Sequence, residues 1–323
     1  MTEFGSPEPE SPVSVIVVSY NTREKLRRCL SCIEPEHEVI VVDNASSDGS
    51  ADMVLSEFPH AKLIRNTENR GFGAANNQGL DVMTRELALF LNSDCYASPG
   101  AIACLAKAFD SEPGSQPAAV RRFRPIVAAG GKLLNSDGSL QDSVAGNLTL
   151  WRVLWEQLNL DRFGPFRYWH TAEFELASIK HRSPVTVVQV MGACLMIQPV
   201  ERFDERFFLY CEDTELCHRL RKHGQIVYTP QAIFTHDLGS SSTQNRWKSV
   251  ALYNRGKELY FSIHKGRLQA GTCWVLNRFG ALVRLLAWTI ASILTLFQSR
   301  TTTSKVALFA RVLTAPVNGP RTN

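Results

Sequence analysis

Apolar residues in this chain fall into short β-branched runs that alternate with helical spacings. Residues 13–19 (VSVIVVS) form a continuous run, the pattern of a strand buried on both faces of a parallel sheet. Leu26, Cys29, Leu30 and Ile33 then recur at helical spacing, which predicts a helix over 22–33. Strands are predicted at 38–42, 62–65 and 87–91. Helices are predicted from a Ser47 or Asp48 cap through Phe58, over 73–83, and from Pro99 to Phe109 with Ser98 as N-cap. Four strand-helix units within the first 110 residues predict an open parallel sheet. In such a sheet ligands bind beyond the carboxyl ends of the strands, where the strand order reverses. Ser19-Tyr20-Asn21, Asp43-Asn44 and Asn92-Ser93-Asp94 all stand at such ends, so the three clusters are expected to converge on one pocket.

Beyond residue 110 the pattern loosens. A loop is expected at 111–117, a strand at 126–134 and a turn at Asn135–Gly138. Residues 142–182 read as an irregular, aromatic-rich insertion, 185–189 and 192–197 as strands, and 212–223 as a helix ended by Gly224.

Composition narrows the class. With 44% hydrophobic and 20% charged residues in 323, the chain has apolar content for one large core or two smaller ones. Collagen, coiled-coil, multi-span membrane and disulfide-framework classes are excluded. Cys29 and Cys32 form a C-x-x-C with no second pair at zinc spacing, so reduced thiols are expected. Residues 1–12, acidic and Pro-rich, read as a disordered lead-in rather than a signal peptide.

Charge is uneven. Net charge is +4, yet no acidic residue follows Glu258, while eight cations do. A basic tail on a mildly acidic body points to an anionic partner such as a lipid surface. The tail's aromatics form no nucleic-acid stacking motif, and no nucleic-acid partner is expected. Within it, residues 281–297 form an amphipathic helix whose polar positions share an arc of about 140°. An in-plane interfacial helix is the preferred reading, a helix packed on the body the next, a membrane span the least favoured.

Individual polar groups carry two readings each. Asp94 ends an apolar strand and either holds a hard divalent cation or caps the next helix. Asp43 either accepts hydrogen bonds from a ribose or base or closes the Asn44-Ala45-Ser46 turn. Glu212-Asp213 opens a helix, either as carboxylates favoured by the dipole or as a general base. His236 is either structural or a metal ligand beside Asp94. Asn69–Gly73 is a flexible turn with Arg70 poised for a diphosphate.

The order of these segments is more specific than any one of them. VIVVSYN at 15–21, VVDNASSDGS at 41–50, NRGFGAANNQG at 69–79 and LNSD at 91–94 together resemble family 2 glycosyltransferases of the GT-A fold. MGACLMI at 191–197, FDERFFLYCEDTELCHRLRKHG at 203–224 and His236 extend the resemblance, which is greatest to the rhamnosyltransferase-like branch and covers roughly 13–265.

The resemblance implies an α/β GT-A fold, with a mostly parallel central sheet flanked by helices and a C-terminal helical extension. It implies a nucleotide-binding half at 13–110, an acceptor and catalytic half at 111–265, and a basic tail at 266–323. Asp43 would contact the nucleotide base, with Ser19, Tyr20 and Asn21 lining the nucleoside pocket. Ser46, Arg70, Gly71, Phe72, Asn76, Asn92 and Ser93 complete the implied donor-binding set. Asp94 takes the last position of a D-x-D metal motif for Mg²⁺ or Mn²⁺. Asn92 stands where that motif has its first Asp, which removes one charge. His236 matches a further metal ligand, and Asp213 the catalytic base of an inverting displacement. Trp247 and Arg255 match a helix that closes over donor phosphates.

The implied donor is dTDP-L-rhamnose, then a UDP-hexose or UDP-galactofuranose. The implied acceptor is a glycan or lipid-linked glycan in cell-surface polysaccharide synthesis, with the enzyme cytoplasmic and peripheral on the inner face of the membrane. A nucleotidyltransferase is disfavoured because residues 13–28 lack a Gly-rich, Lys-bearing phosphate loop. A non-catalytic sugar-nucleotide or lipid binder of the same fold is the other alternative, favoured only by Asn92.

Overall fold

The structure is a computed structural model that describes residues 12–110, 124–160, 184–237 and 246–316. The expected lead-in at 1–11, the loop at 111–117 and the 161–182 part of the expected insertion lie outside these residues.

The β-branched runs pair as their burial requires. β1 (Ser14–Ser19) lies between β2 (Glu38–Asp43) and β4 (Ala88–Asn92), with β3 (Lys62–Arg65) beyond β2, all parallel. The chain runs β1 to β3 on one side, then crosses back to place β4 on the other, so β1 and β4 flank the point of reversal. Alternate residues of these strands feed two cores, one on each face. Val15, Val17, Leu89 and Leu91 face one; Ile16, Ile40, Ala88 and Phe90 face the other. Burial on both faces is why the strands read as unbroken apolar runs.

The sheet continues through β10 (Cys194–Ile197), β6 (Ile126–Leu134), β11 (Gln225–His236) and β5 (Cys95–Ala97), with β8 (Val185–Val187) also on β11. β10 is antiparallel to β4 and β6, while β6 and β11 are parallel. β5 and β8 run against β11. Six strands therefore share one direction and three oppose it, a mostly parallel sheet. β7 (Val144–Ala145) and β9 (Gln189–Val190) form a separate small ribbon.

Helices α1 (Arg23–Leu30), α2 (Ser50–Glu57), α3 (Phe72–Val82) and α4 (Ala101–Ala106) follow their strands. Two caps differ from expectation. Gly49, at φ +81°, is the N-cap of α2, and Asp48 works one residue earlier by accepting the Ser50 amide at 3.0 Å. Gly100, at φ +74°, caps α4, because the Ser98 carbonyl is taken by the Ala101 amide in a turn.

The region expected to be irregular contains α5 (Leu150–Gln157), whose Thr149 hydroxyl accepts the Arg152 amide at 3.2 Å. β5 was too short to show periodicity. β11 was not predicted, because the Thr229–Ile233 irregularity around Pro230 breaks its pattern. α6 (Glu212–His223) precedes β11, and α7 (Arg246–His264), α8 (Arg267–Leu294) and α9 (Arg300–Thr314) follow it. None of the eight cysteines forms a disulfide. Burial raises the Cys29 thiol, which donates to the Asn92 carbonyl at 3.6 Å, so the C-x-x-C is structural.

The tail helix is longer than its apolar segment, and it packs. Cys273, Asn277, Gly280 and Ala281 of α8 are buried. Arg284 donates to the Gln157 side chain at 2.7 Å and to the Glu156 carbonyl at 2.6 Å, tying α8 to α5. Asn277 joins α8 to Gln157 of α5 at 3.1 Å and to Glu258 of α7 at 2.9 Å.

Gly79 of α3 lies directly over Ile16 of β1, leaving no room for a Cβ. Gly79→Ala is expected to lower stability by about 1–3 kcal/mol through overpacking. The check is a reduced urea midpoint at unchanged m-value.

Candidate active site

The strand register assembles the first group of polar residues. His236 is paired with Cys95 at the end of the β11–β5 ladder, and the Asp237 amide donates to the Asp94 carbonyl at 2.9 Å. His236 Nε2 consequently stands 3.3 Å from Asp94 Oδ1 and 3.4 Å from the Asn92 side-chain amide. Its Nδ1 lies 2.7 Å from Gln141 Oε1, while Gln141 Nε2 donates to the His236 and Asn135 oxygens. That network makes the glutamine oxygen the acceptor for Nδ1 and turns Nε2 toward Asp94. Lys25 of α1 completes the group, its Nζ 3.8 Å from Asp94 Oδ2.

A carboxylate beside an oriented imidazole suits an Mg²⁺- or Mn²⁺-type ion, with positions left for phosphate and water oxygens. Among the described residues no three His, Cys, Asp or Glu side chains cluster as a ready-made metal site. Asn92 in place of a second carboxylate accounts for that.

The second group lies along the ends of β1 and β2. Ser19 is directly opposite Asp43 in the ladder. The Ser19 hydroxyl contacts Thr22 at 3.0 Å, and Thr22 donates to Ser93 at 2.9 Å. Asn21 adopts φ +54°; its amide donates to Ser46 at 2.9 Å and its side chain accepts from the Ser47 amide at 2.8 Å. Asp43 accepts the Ser46 amide on Oδ2 at 3.1 Å, while its buried Oδ1 has no protein partner. A buried acceptor left open is costly unless a ligand N–H or water fills it. Tyr20 is exposed beside this group.

Asn44 organises the turn that follows β3. Its side chain donates to Asn69 Oδ1 at 2.9 Å and to the Gly71 carbonyl at 3.2 Å, and it accepts the Arg70 amide at 3.0 Å. Gly71 takes φ +87°, and a Cβ there would sit 2.5 Å from the Phe208 carbonyl. The Phe72 amide donates to that carbonyl at 2.9 Å. Arg70 is exposed, with Glu205 3.9 Å away. Asn76 bonds back to the Phe72 carbonyl at 3.0 Å, and its Oδ1 is buried without a protein partner.

Asp213 stands at the start of α6. Its Oδ2 accepts the Gly192 amide at 2.9 Å and its Oδ1 the Thr214 amide at 2.7 Å. Burial raises its pKa despite these amides. Glu212 is more deeply buried, and one of its carboxyl oxygens has no partner. Desolvation, then the neighbouring Asp213 charge, pushes Glu212 up to about 8. A carboxyl group with a raised pKa is a stronger base once ionised.

Asp213, Asn92, His236 and Phe72 line one cavity of about 530 Å³, together with Met191, Gly192, Tyr210, Arg152, Glu156 and Tyr253. Ser19, Tyr20, Asn21, Asp43, Ser46, Arg70, Gly71, Asn76, Ser93 and Asp94 are not among the residues lining the cavity. Asp94 stays next to it through His236, and Ser93 follows the lining residue Asn92, while Thr22 joins Ser93 to Ser19, the residue opposite Asp43. Arg255 lines a different small recess with Glu258, Arg278 and Pro316, facing the tail. Trp247 lies near the start of α7 and is also absent from the cavity wall.

Residues 14–135 match the family described as glycosyl transferase family 2. An N-acetylglucosaminyl-diphospho-decaprenol L-rhamnosyltransferase of Mycobacterium tuberculosis is 26% identical over 285 residues, 81% of this chain and 88% of that protein. These matches support a place beside the rhamnosyltransferase-like members of glycosyltransferase family 2. A low-salt glycan biosynthesis hexosyltransferase of Haloferax volcanii is also 26% identical, over 65% of this chain and 62% of that protein. Among solved structures, a mannosyltransferase from Pyrobaculum calidifontis in complex with GDP-Man and Mn²⁺ superposes with a TM-score of 0.52 at 14% identity. That match covers 95% of this chain and 86% of that one, and it shows the shared GT-A fold.

The structure adds residues to this glycosyltransferase site that the sequence did not single out. Lys25 sits one turn into α1, directly after the β1 end, a position from which a cation reaches the strand ends. Gln141 carried no local signal, because only the packing of the 135–141 turn beneath β11 brings it to His236. Arg152, Glu156 and Tyr253 reach the cavity only through the docking of α5 and α7.

Glu212 yields a pH prediction. Its pKa is higher folded than unfolded, so between pH of about 4.5 and about 8 the folded state holds a proton that the unfolded state lacks. Stability therefore falls as pH rises through that window. Glu212→Gln is expected to flatten this fall, measured as Tm against pH.

Proposed function

We propose that this glycosyltransferase is an inverting, divalent-cation-assisted enzyme that moves a sugar from a nucleotide-diphosphate donor to a hydroxyl of a lipid-linked glycan in cell-surface polysaccharide synthesis. dTDP-L-rhamnose is the favoured donor, ahead of a UDP-hexose or UDP-galactofuranose. Support for rhamnose and for a lipid-linked acceptor comes from the printed activity of the mycobacterial relative. The observation that carries the mechanism is one cavity lined at once by Asp213, Asn92 and His236.

Roles follow from the chemistry of each group. Asp43, with its open buried oxygen, takes the base or ribose; Ser19, Tyr20, Asn21 and Ser46 line the nucleoside. Gly71 and Phe72 set the turn, and Arg70, Asn76, Asn92 and Ser93 complete the donor side. Asp94 and His236 hold Mg²⁺ or Mn²⁺, which when bound supplies positive charge against the diphosphate. Lys25 adds a further cation there. Asp213, fixed by the Gly192 and Thr214 amides, accepts the proton of the acceptor hydroxyl as its oxygen attacks the anomeric carbon from the face opposite the leaving diphosphate. Holding acceptor and donor in one cavity converts an encounter in solution into an attack within the complex.

The character of the tail supports a membrane-surface location for this reaction. One stripe of α8 is bare: Leu268, Val275, Phe279, Leu282, Leu286, Ile290 and Ile293 are all exposed, at spacings of three, four and seven. The opposite face is occupied by α5, α7 and α9. α8 is 28 residues long and apolar enough to cross a membrane by length and composition. Its packed, Arg-bearing inner face favours lying in the interfacial plane instead. The cations after Glu258 match an anionic leaflet, the inner face of the cell membrane for a cytoplasmic enzyme.

Purified protein mixed with dTDP-L-rhamnose, UDP-glucose, UDP-galactofuranose or GDP-mannose, with Mg²⁺, Mn²⁺ or EDTA, is expected to release nucleoside diphosphate from one donor in a metal-dependent way. Asp213→Asn is expected to reduce transfer at least about 10²-fold, the low end of general-base contributions, while donor still raises Tm. Donor stabilisation without any turnover in wild type would favour the non-catalytic binder that Asn92 suggests.

Flotation tests the membrane reading. The protein is expected to float with phosphatidylglycerol vesicles and poorly with phosphatidylcholine, and Leu286→Asp with Ile290→Asp is expected to abolish flotation. A salt-insensitive dimer that masks α8, with no flotation, would assign the stripe to a second copy of the chain.

A further inference from the structure

Part of the cavity wall is built from α5 and α7 and from the segment before α6, all outside the matched 14–135 segment. Two tyrosines stand there. Tyr210 and Tyr253 both line the cavity, edge to face, with ring centroids 6.2 Å apart. Tyr253 is 38% exposed, although its ring is held from beneath. Lys257, with no exposure at all, lies 4.3 Å from the Tyr253 ring centroid and donates to Glu156 Oε1 at 2.9 Å. The Tyr253 hydroxyl reaches Glu156 Oε2 at 3.5 Å.

Strain marks the same place. Tyr210 and Cys211 adopt φ +72° and +66°, two successive left-handed residues immediately before Glu212 and Asp213. Such conformations cost about 1–3 kcal/mol each and persist only where the surroundings hold them. Gly256 of α7 packs on this pair so closely that a Cβ there would stand 2.5 Å from the Tyr210 carbonyl. A fully buried ammonium is likewise costly unless paired. Here both features serve to fix a ring and a carboxylate at the edge of a cavity that holds a carboxyl group of raised pKa.

From this arrangement we infer that Tyr253 is the stacking platform for the acceptor's sugar ring, that Glu156 accepts its hydroxyls, and that Lys257 is a positioning residue for both. The inference rests on the transferase reading and names the acceptor side of the same site. An aromatic face with a few fixed polar groups is the chemistry that selects a pyranose, whose C–H-rich face packs on the ring while its rim hydroxyls donate. The same cavity carries Asn92 and His236 on its donor side, and Cys211, two residues before Asp213, contacts the Tyr253 carbonyl.

The test is steady-state kinetics with a short-chain N-acetylglucosaminyl-diphospho-polyprenol as acceptor and the donor selected above. Tyr253→Leu, which keeps bulk but removes the ring, is expected to raise the acceptor KM about tenfold. Donor KM and the slow hydrolysis of donor without acceptor stay at wild-type values. Tyr253→Phe and Tyr253→Trp restore the acceptor KM. Lys257→Met gives a similar acceptor KM rise, because it frees the ring and the carboxylate together. An acceptor KM unchanged in Tyr253→Leu, or a donor KM raised by the same factor, overturns the platform. Absence of any transfer or donor hydrolysis by the wild-type enzyme would overturn the transferase reading and this inference with it.

Discussion

The approach of the Phe208 backbone to Gly71 is the contact on which the site depends. Only glycine combines φ +87° with a carbonyl as near as this one, and the Phe72 amide takes the carbonyl as its hydrogen-bond acceptor. The contact joins the nucleotide-side turn, pinned from behind by Asn44, to the segment that leads through Tyr210 and Cys211 into Glu212 and Asp213. Two halves of the chain far apart in sequence thereby share one backbone hydrogen bond. Loosening it would let the carboxylates of α6 drift from the strand ends that complete the cavity.

Electrostatics divides the cavity into regions. Around Asp94 the environment is polar and cationic, with Lys25 at 3.8 Å and an imidazole whose Nε2 is turned toward it by Gln141. Around Asp213 and Glu212 it is apolar, and both carboxyl groups are driven upward by desolvation. Two acidic groups at the same sheet edge acquire different chemistry from their surroundings, one suited to binding a cation and the other to taking a proton. The third region, on α5 and α7, adds the aromatic face of Tyr253 beside the Glu156–Lys257 ion pair.

The C-terminal helices connect this site to the outside of the molecule. Arg284 and Asn277 of α8 bond to the end of α5, whose Arg152 and Glu156 face the cavity. Whatever rests against the exposed stripe of α8 is therefore one helix away from the acceptor wall. An enzyme whose acceptor is anchored in lipid gains from that arrangement, because the surface that holds the enzyme also presents the acceptor.

The sequence alone determined the strand-helix half of the fold. Strands buried on both faces must be continuously apolar, and a parallel sheet must carry its polar groups at the carboxyl ends, so β1, β2, β4 and the residues beyond them were legible. The order of motifs from Val15 to His236 was specific enough to point to the family and the fold. Tertiary structure decided what local pattern does not encode. β5 is three residues long, β11 is interrupted at Pro230, and α5 lay within an aromatic stretch, so their pairing depends on distant partners. Register and packing decide which strand ends meet: they set Ser19 opposite Asp43 and His236 against Asp94. Gln141, Lys25, Glu156 and Tyr253 reach their places only when separate elements dock, because burial, proximity and pKa belong to the packed molecule and not to any segment of it.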